Sequence, residues 1–453
     1  MAVESKTIFI SCGCVNRLVI GEVGAGMGEE EKNKTPVFQS EAAYTWLEQV
    51  VGGPRKGKAH LIMDEECLTM AAESGTSHTI PYREIIEVET GDYRVVLHLS
   101  SQDQLLLHRF GYAYEGFLNL LFKLRGEMLL EDMLMQEKVL RRGFEAAYTY
   151  YNASGETVAE GRCEPRIYET ALVLIPEQAD PLRLPYSELQ DLEVEGHTLT
   201  LTSEYGERVV FSRMGYDLDG FRQHLAEAMN RLDERTQRLV QQLVPAADPA
   251  QVWKLARVMR EGRAASRQEV NAVSRKFWPM LEKKVDESPI KEEYAYLKSL
   301  AQTEQMAMGV KRGLMGDLTG DYVWFLFPVY SSDPTQPGNA LIMESFSDKE
   351  TAQATYLFRI TGKEEYASGK VDLQAETEQM LRRVNRCMQA INFRREPIYL
   401  PKKRLREPSY IKYLYALRRL PALEELRERY LGRVPHTSFE QWQRGVEKLM
   451  DSK

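Results

Sequence analysis

A short cationic segment near residue 55 has the residue types and the spacing to bind an anion. Arg55, Lys56 and Lys58 lie within Gly52–Lys58, and glycines precede and separate them. Glycines let backbone N–H groups approach a phosphate, while the three side chains add positive charge and hydrogen-bond donors. The segment also fits a solvated turn whose charges keep a sheet edge soluble. Both interpretations stay open, and the turn is the simpler one.

A second cationic cluster, formed by Lys402, Lys403, Arg404 and Arg406, is the densest in the chain. The tyrosines that follow it are Tyr410, Tyr413 and Tyr415. Cations for phosphates and rings for base stacking are what a nucleic-acid surface needs. An amphipathic helix that docks on an acidic surface has the same composition. We favour docking, within the molecule or between copies of it, over contact with nucleic acid.

Charge is distributed unevenly along the 453 residues, although the net charge is only −8. Residues 1–245 carry 24 basic and 39 acidic side chains, a net charge of −15. Residues 394–433 carry 12 basic and 5 acidic side chains, a net charge of +7. Uneven charge of this kind influences the choice of partner more than the fold. The acidic first half is therefore a natural docking surface for the basic tail.

No catalytic motif is recognisable in the chain. It has no phosphate-binding loop, dinucleotide fingerprint, nucleophile elbow or zinc-protease helix. The seven histidines do not cluster at ligand spacing, and five scattered cysteines suggest reduced thiols in a cytoplasm. No apolar run reaches the roughly 20 residues that a membrane span needs, and no signal peptide is apparent. We expect a protein with no catalytic residues, no cofactor and no metal.

The elements that position these residues are organised by an internal repeat. Glu41-Ala42-Ala43-Tyr44-Thr45 returns as Glu145-Ala146-Ala147-Tyr148-Thr149, and the offset of 104 residues then holds without a gap. Further matches at this offset are Gly57 and Gly161, Pro81 and Pro185, Arg109 and Arg213, Gly111 and Gly215, Tyr112 and Tyr216, and Phe117 and Phe221. A constant offset over so many matches predicts one duplicated folding unit.

Each copy is predicted to be an antiparallel sheet that ends in one helix. His197–Thr202 alternates apolar and polar residues, which is typical of a half-buried strand. Ile80-Pro81-Tyr82 and Leu184-Pro185-Tyr186 are predicted to open another strand. Helical spacing of apolar residues follows the last strand. In the first copy we expect that helix to run to about Arg142 and to stop at Gly143.

This order of elements resembles the pleckstrin-homology superfold and its GRAM-like relatives, although an unrelated small β-sandwich with a helix would share it. The resemblance covers about residues 41–130 and 145–235, and neither copy has the family's usual helix tryptophan. It implies that Gly52–Lys58 is the loop that binds phosphoinositide headgroups. In the second copy this loop, Ala153–Arg162, has lost the cations and gained two carboxylates. An anion site would therefore belong to the first copy alone.

The Arg-x-Gly-Tyr motif at the strand-to-helix turn is the best retained feature of the two copies. Its phenylalanines, Phe117 and Phe221, are predicted to fill the core. The glycines before them, Gly116 and Gly220, are predicted to allow close packing of helix on sheet. A binding role for this motif is the alternative.

The second half of the chain is predicted to contain three further regions. Residues 246–312 are predicted to be a helical connector, with a start signal at Asp248-Pro249, a capping box at Ser266 and Glu269, and a break at Pro279. Residues 320–393 are predicted to form three strands and a helix. A cationic stripe on the connector and a flexible linker at Met306–Gly316 complete this interpretation. The stripe consists of Lys254, Arg257, Arg260, Arg263 and Arg267.

The predicted fold is therefore a multidomain α+β protein. Its predicted regions are an N-terminal extension with a strand at 1–40, repeats at 41–142 and 143–240, a helical connector at 246–312, a small α+β domain at 320–393 and a basic helical tail at 394–453. The predicted function is that of a non-enzymatic cytoplasmic interaction or scaffold protein with a protein partner. The alternatives are binding to a membrane surface through the first-copy loop and nucleic-acid binding through the tail. Self-association is a further possibility.

Overall fold

The fold was examined in a computed structural model. It describes residues 37–48, 53–132, 137–312, 321–333, 335–336, 338–347, 354–391 and 393–451. Of the predicted N-terminal extension with a strand at 1–40, residues 1–36 lie outside the described residues, and residues 38–40 belong to the first strand of the first half-barrel. The architecture is mixed, with two curled antiparallel half-barrel sheets, each followed by a helix, and a third sheet covered by helices.

The first half-barrel contains seven antiparallel strands in the order β4-β3-β2-β1-β7-β6-β5. Its strands are β1 (Phe38–Leu47), β2 (Arg55–Met63), β3 (Cys67–Ala72), β4 (Ser77–Pro81), β5 (Ile85–Gly91), β6 (Arg94–Leu99) and β7 (Gln104–His108), and its helix is α1 (Tyr114–Asp132). Inward-facing residues alternate with outward-facing ones along β2, β3, β6 and β7, as expected for a sheet with one buried face.

The second half-barrel repeats this strand order, with one short additional strand that pairs with the strand Thr157–Tyr168. Its strands are β8 (Val139–Arg141), β9 (Ala146–Tyr151), β10 (Thr157–Tyr168), β11 (Ala171–Pro176), β12 (Leu182–Pro185), β13 (Leu189–Glu195), β14 (Thr198–Ser203) and β15 (Arg208–Ser212), and its helix is α2 (Asp217–Leu243). Four strands of the second half-barrel begin and end 104 residues after their counterparts in the first. The counterparts are β3 and β11, β5 and β13, β6 and β14, and β7 and β15. The two half-barrels are therefore a structural repeat.

Two local predictions in these sheets are wrong. Pro81 and Pro185 end a strand instead of opening one, and a three-residue 3-10 turn separates each proline from the next strand. Proline has no N–H to continue a ladder, so it fits the last position of an edge strand. Helix α1 ends at Asp132, and Val139–Arg141 forms strand β8, which pairs with β10.

The strand-to-helix turns explain why the Arg-x-Gly-Tyr motif recurs. Gly111 and Gly215 adopt left-handed φ angles of 60° and 58°, which glycine accepts without a steric penalty. Phe117 and Phe221 are fully buried, as predicted. The prediction of close packing at Gly220 is wrong, because a Cβ atom there would meet no atom within 4 Å.

The C-terminal unit is built on a six-stranded antiparallel sheet in the order β16-β17-β18-β19-β20-β21. Its strands are β16 (Ala265–Ser266), β17 (Ala307–Arg312), β18 (Asp321–Val329), β19 (Ala340–Ser347), β20 (Ala354–Arg359) and β21 (Tyr430–Pro435). Its helices are α3 (Pro249–Val258), α4 (Arg267–Val273), α5 (Phe277–Asp286), α6 (Lys291–Leu300), α7 (Lys363–Ser368), α8 (Leu373–Ala390), α9 (Glu396–Tyr399), α10 (Lys412–Arg419), α11 (Pro421–Glu428) and α12 (Phe439–Met450).

The strands predicted within 320–393 and the helix that follows them are confirmed as β18, β19, β20 and α8. The N-cap at Asp248 and the capping box of Ser266 and Glu269 are also confirmed. The prediction of a purely helical connector and a purely helical tail is wrong. Strand β17 replaces most of the predicted linker, and β21 lies within the tail. Pro279 lies in the first turn of α5, after the break that precedes this helix.

Both faces of the third sheet are covered by helices. On β18, Phe325 and Phe327 belong to the apolar cluster that contains Trp278 and Trp442. Their neighbours Trp324 and Leu326 belong to the opposite cluster, which includes residues of α8 and α11. A strand buried on both faces needs apolar residues at every position, which is why Trp324–Phe327 lacks the polar alternation of the half-barrels. Helix α8 and its neighbours then contact the second half-barrel.

Candidate functional site

The three cations of the predicted anion loop lie on a strand and do not converge. Arg55, Lys56 and Lys58 belong to β2, so the loop prediction is wrong for these residues. Successive side chains on a strand point to opposite faces, which separates Arg55 from the two lysines. Arg55 forms an ion pair with Glu48 at 2.7 Å. Residues 49–52, which complete the predicted loop, lie outside the described residues.

The cationic cluster of the tail is engaged mainly with its own neighbourhood. Lys402 forms an ion pair with Glu424 of α11. Arg404 pairs with Glu407 at 3.3 Å, and its guanidinium lies 5.4 Å from the ring centroid of Tyr410. Lys403 is exposed, and Arg406 lies in the same short 3-10 turn as Arg404. Arg404 thus makes the cation–aromatic contact that the sequence suggested, with a tyrosine of its own chain.

The tail docks on the acidic first half through residues that follow this cluster. Arg418 of α10 forms an ion pair with Glu87 of the first half-barrel. Arg419 lies 3.8 Å from the Asp180 carboxylate and donates to the Asp180 carbonyl at 3.2 Å. The Tyr415 hydroxyl donates to the Pro181 carbonyl at 2.5 Å. Docking therefore occurs within the molecule, and α10 carries the contacts.

The cationic stripe of the connector is also held inside the molecule. Arg260 donates to the backbone carbonyls of Ser187 and Leu189 in the second half-barrel. Arg263 pairs with Glu269 at 2.7 Å. Because α3 ends at Val258, these arginines lie beyond the helix and do not form one helical face.

An exposed surface of aromatic and cationic residues lies at one corner of the first half-barrel. We call it the Tyr/Arg patch; it consists of Tyr93, Arg94, His108, Arg109 and Tyr112. Tyr112 is fully exposed, and Tyr93 is 73% exposed. Arg94 is the register partner of His108 on the neighbouring strand. Burial, followed by the charges of Arg109 and Arg94, lowers the pKa of His108. The patch therefore carries its positive charge on two arginines at neutral pH.

Tyr93 is held in a strained backbone conformation. Its φ angle of 57° lies in the left-handed region, as does that of Asp92 at 49°. An aromatic residue there costs about 1–2 kcal/mol relative to the right-handed region. Its ring packs against that of Tyr114, with a distance of 5.3 Å between centroids. Asp92 and Tyr93 form the two-residue turn between β5 and β6, a hairpin turn in which both central residues are left-handed, and the turn presents an aromatic ring to solvent.

A large cavity lies between the second half-barrel and three C-terminal helices. It has a volume of about 660 Å³. The floor comes from the half-barrel end near β12, β14 and β15, and the roof from α8, α10 and α11, which we call the roof helices. Apolar lining residues from the floor are Leu182, Leu184, Leu189, Leu201 and Val209. Pockets of 300–1,000 Å³ with mainly apolar walls are typical of small-molecule sites.

One carboxyl group in this cavity has no direct partner. Glu188 lies in the 3-10 turn after Pro185 and is only 8% exposed. Within the described residues its side chain makes neither a hydrogen bond nor an ion pair. Burial raises the pKa of Glu188 to about 7, and the charges of Arg386 and Arg183 only partly oppose this rise. The group is therefore close to half ionised at neutral pH.

Several other charges at the cavity wall are paired, whereas Arg208 and Lys412 form no ion pair within the described residues and lie over the rings of Tyr151 and Tyr413. Arg386 of α8 forms an ion pair with Glu207 at 2.5 Å, and its guanidinium lies 4.6 Å from the ring centroid of Tyr205. Arg183 lies 3.7 Å from Glu137, a carboxylate that also accepts from Thr170. The Arg386–Glu207 pair connects α8 to the second half-barrel, and the two pairs leave Glu188 without a direct ion-pair partner.

A buried polar network in the C-terminal unit also contains a histidine, and it serves to connect elements. His436 lies 3.0 Å from Glu344 and 3.2 Å from Thr355. The Trp442 indole donates to Thr355 at 2.6 Å. Burial lowers the pKa of His436, but the hydrogen bond and charge of Glu344 outweigh this and raise it overall. No group of three or more potential metal-ligating side chains is found in the described residues.

No known protein-family model matches the chain, and no characterised protein sequence is significantly similar to it. In the described ranges, no helix is both long and apolar enough to cross a membrane.

Sequence reasoning missed the cavity because its walls come from distant segments. Glu188 and Arg386 are separated by nearly two hundred residues, and no short motif joins them. One signal was present: Glu84 and Glu188 match at the repeat offset, so a carboxyl group was retained at this turn in both copies.

Proposed function

We propose that this protein is a non-enzymatic interaction protein of the cytoplasm that binds a protein partner through the Tyr/Arg patch. The observation that carries the proposal is the exposure of Tyr93 and Tyr112 beside Arg94 and Arg109. Tyrosine and arginine are enriched among the residues that dominate binding energy at protein interfaces. Within the described residues, neither arginine forms an ion pair, so both remain able to meet carboxylates of a partner.

The proposal includes an origin for the half-barrels: they are tandem duplicates of a pleckstrin-homology-like unit. Their common strand order, the helix that follows each sheet and the offset of 104 residues support this. In such a protein one copy can serve as a platform while the other is used for contacts inside the molecule. The second half-barrel is the one that the C-terminal unit covers.

The partner is best described as a protein segment that offers carboxylates and an apolar surface. Two arginines and a lowered histidine pKa give the patch a positive charge that depends little on pH between 7 and 8. Two exposed tyrosine rings provide apolar area at a low cost in side-chain entropy.

The experiment is affinity capture from the native cells, followed by a binding measurement on each protein recovered. Three baits are compared: the natural chain, the double variant Tyr93→Ala/Tyr112→Ala, and the control Tyr216→Ala. Tyr216 is fully exposed at the equivalent turn of the second half-barrel, which makes it a matched control. A truncated hot-spot tyrosine costs about 2 kcal/mol, so the double variant should bind at least about 30-fold more weakly.

A protein retained by the natural chain and by Tyr216→Ala, but lost from the double variant, would support the proposal. A protein retained equally by all three baits would remove the patch from the interface. Recovery of anionic vesicles or nucleic acid in place of a protein would replace the proposal with one of the two alternatives, and the charge-reversal variants Lys58→Glu and Lys403→Glu would then show which cationic segment is responsible.

A further inference from the structure

The roofed cavity has the dimensions of a ligand site, and this conclusion is independent of the Tyr/Arg patch. Its floor and its roof helices come from parts of the chain that contact each other only after folding. Its volume of about 660 Å³ accommodates a molecule of drug-like size. The walls are mainly aliphatic, so a ligand must bring an apolar body.

Glu188 is the polar group that selects the ligand. A carboxylate buried without a counterion is costly, and proteins normally pair it or protonate it. The fold itself does not require burial at this turn, because the equivalent Glu84 is exposed in the first half-barrel. Glu188 is buried because the roof helices cover it, and this cover leaves its carboxyl group facing the cavity.

The charges around Glu188 favour a positive ligand group beside it. The cations Arg386 and Arg183 lie close enough to act on its titration, but they are already neutralised by Glu207 and Glu137. An ionised Glu188 is therefore an excess negative charge in this part of the cavity.

Tyrosine side chains strengthen this preference. Tyr150 lines the floor, and Tyr413 and Tyr415 line the roof, where Lys412 and Arg419 already lie over these two rings. Aromatic faces attract ammonium groups, with energies of about 0.5–2 kcal/mol that increase as water is excluded. A ligand with an ammonium group can thus contact a carboxylate and aromatic rings in one cavity.

We propose that this cavity binds a small cationic amphiphile, an amine whose ammonium group pairs with Glu188 and whose apolar body lies against the aliphatic floor. The assignment rests on the cavity, on the buried carboxyl group without a partner and on the neutralised arginines. It adds a small-molecule site to a protein for which we propose a protein-binding role.

Binding should be coupled to the release of a proton. The charged and titratable groups that act on Glu188 are Arg183, Glu204, Tyr205, Glu207, Arg386 and Cys387. Among these, Tyr205 and Cys387 have raised pKa values and stay neutral near pH 7. An ammonium group stabilises the ionised form of Glu188, and the pKa of about 7 means that half of the molecules must lose a proton to bind at neutral pH.

The test uses three probes that share one apolar chain: n-octylammonium, n-octanol and n-octanoate. Isothermal titration calorimetry at pH 6, 7 and 8, in two buffers of different ionisation enthalpy, gives both the affinity and the proton count. We expect n-octylammonium to bind with 1:1 stoichiometry and to bind about tenfold more tightly at pH 8 than at pH 6, following the ionised fraction of a group with a pKa of about 7.

Two glutamine variants distinguish the cavity from other carboxylates. Glu188→Gln should weaken n-octylammonium binding at pH 8 at least about tenfold and abolish its pH dependence, because it removes one charge–charge contact. Glu84→Gln, the repeat-equivalent control, should bind like the natural chain. Glutamine is nearly isosteric with glutamic acid and neutral, so the fold should persist, and a circular dichroism melt verifies this.

Three results would overturn the proposal. The first is an affinity for n-octylammonium that Glu188→Gln leaves unchanged. The second is tighter binding of n-octanoate, with an affinity that rises towards pH 6, which would assign the cavity to anions through Arg208. The third is no binding of any probe to the natural chain. Any of these results would leave the protein-binding role intact, since it depends on a different surface.

Discussion

The corresponding ends of the two half-barrels differ far more than the half-barrels themselves. In the first, this end carries Arg55 paired with Glu48, and His78 packed 4.8 Å from the ring of Trp46. In the second, the roof helices cover the end and enclose the cavity. The glutamate of the 3-10 turn shows the difference most directly. It is exposed in the first half-barrel, where it is Glu84, and buried in the second, where it is Glu188.

This contrast shows how a repeated unit can acquire a second use without a change of fold. The strand order and most strand boundaries are the same in both copies. What differs is the part of the chain that packs on the end of the sheet. Burial, charge pairing and the pKa of one retained carboxyl group follow from that packing.

The largest expected effect comes from emptying the two equivalent cores. Phe117→Ala and Phe221→Ala each remove a fully buried ring, so each should lower the free energy of unfolding by about 4 kcal/mol. Hydrogen exchange separates them: Phe221→Ala should accelerate exchange in α8 more than Phe117→Ala does, because Arg386 of α8 pairs with Glu207 of the second half-barrel, whereas α10 contacts both half-barrels. Equal acceleration would mean that α8 does not depend on the half-barrel beneath it.

The next effect is the pH dependence of stability at the paired glutamates. In the folded state Glu188 has a pKa of about 7, above its ordinary value of 4.5. The folded state therefore binds more protons between these values, and its stability should fall as pH rises from about 4.5 to 7. This fall in the free energy of unfolding should amount to up to about 3 kcal/mol, and Glu188→Gln should remove it. Denaturant titrations from pH 5 to 8 measure it.

Glu84→Gln is the control for this titration. Burial also raises the pKa of Glu84, but this residue is exposed, so its substitution should change the pH profile less than Glu188→Gln does. If both variants flattened the profile equally, the roof helices could not be the cause of the difference between the two glutamates.

A smaller effect is expected from the ion pair that attaches the roof to the second half-barrel. Arg386→Ala leaves Glu207 without its partner, and about a fifth of each side chain is exposed. The free energy of unfolding should fall by about 2 kcal/mol, which is below the range for fully buried ion pairs. Arg208→Ala is the matched control, since this exposed arginine lines the same cavity and contacts the ring of Tyr151. A loss of similar size for Arg208→Ala would contradict the role given to the pair.

The smallest effect concerns one hydrogen bond between roof and floor. Tyr415→Phe removes the hydroxyl that donates to the Pro181 carbonyl. The free energy of unfolding should therefore fall by about 1 kcal/mol. Tyr112→Phe alters a fully exposed hydroxyl and should leave the unfolding midpoint unchanged. No difference between the two variants in chemical denaturation would show that this contact does not hold the roof in place.

Local patterns in the sequence predicted much of this fold. The repeat predicted two equivalent sheets, each with a helix after it, and apolar runs located β18, β19, β20 and α8. Caps at Asp248 and Ser266 were also predicted, because capping depends on residues within one turn. Strand partners that are distant in sequence were not predicted: β16 pairs with β17 and β20 pairs with β21, and helices lie between the partners in both cases.

The candidate sites were less predictable for the same reason. Composition identified Arg55, Lys56 and Lys58 as a candidate anion site. The alternation of side chains along β2 places Arg55 on one face and the two lysines on the other. The burial of Glu188 depends on α8, α10 and α11, and local sequence carries no information about which helices will cover a sheet. Exposure of Tyr93 and Tyr112 likewise became apparent only from the packing around them.

The position of β21 at residues 430–435 also sets an order of events during synthesis. The ribosome releases the second half-barrel long before the last strand of the third sheet, and at about 5–20 residues per second the interval is on the order of 10–40 s. Throughout that interval the apolar floor around Leu189 and Leu201 faces water. The cavity therefore forms only when translation is almost complete.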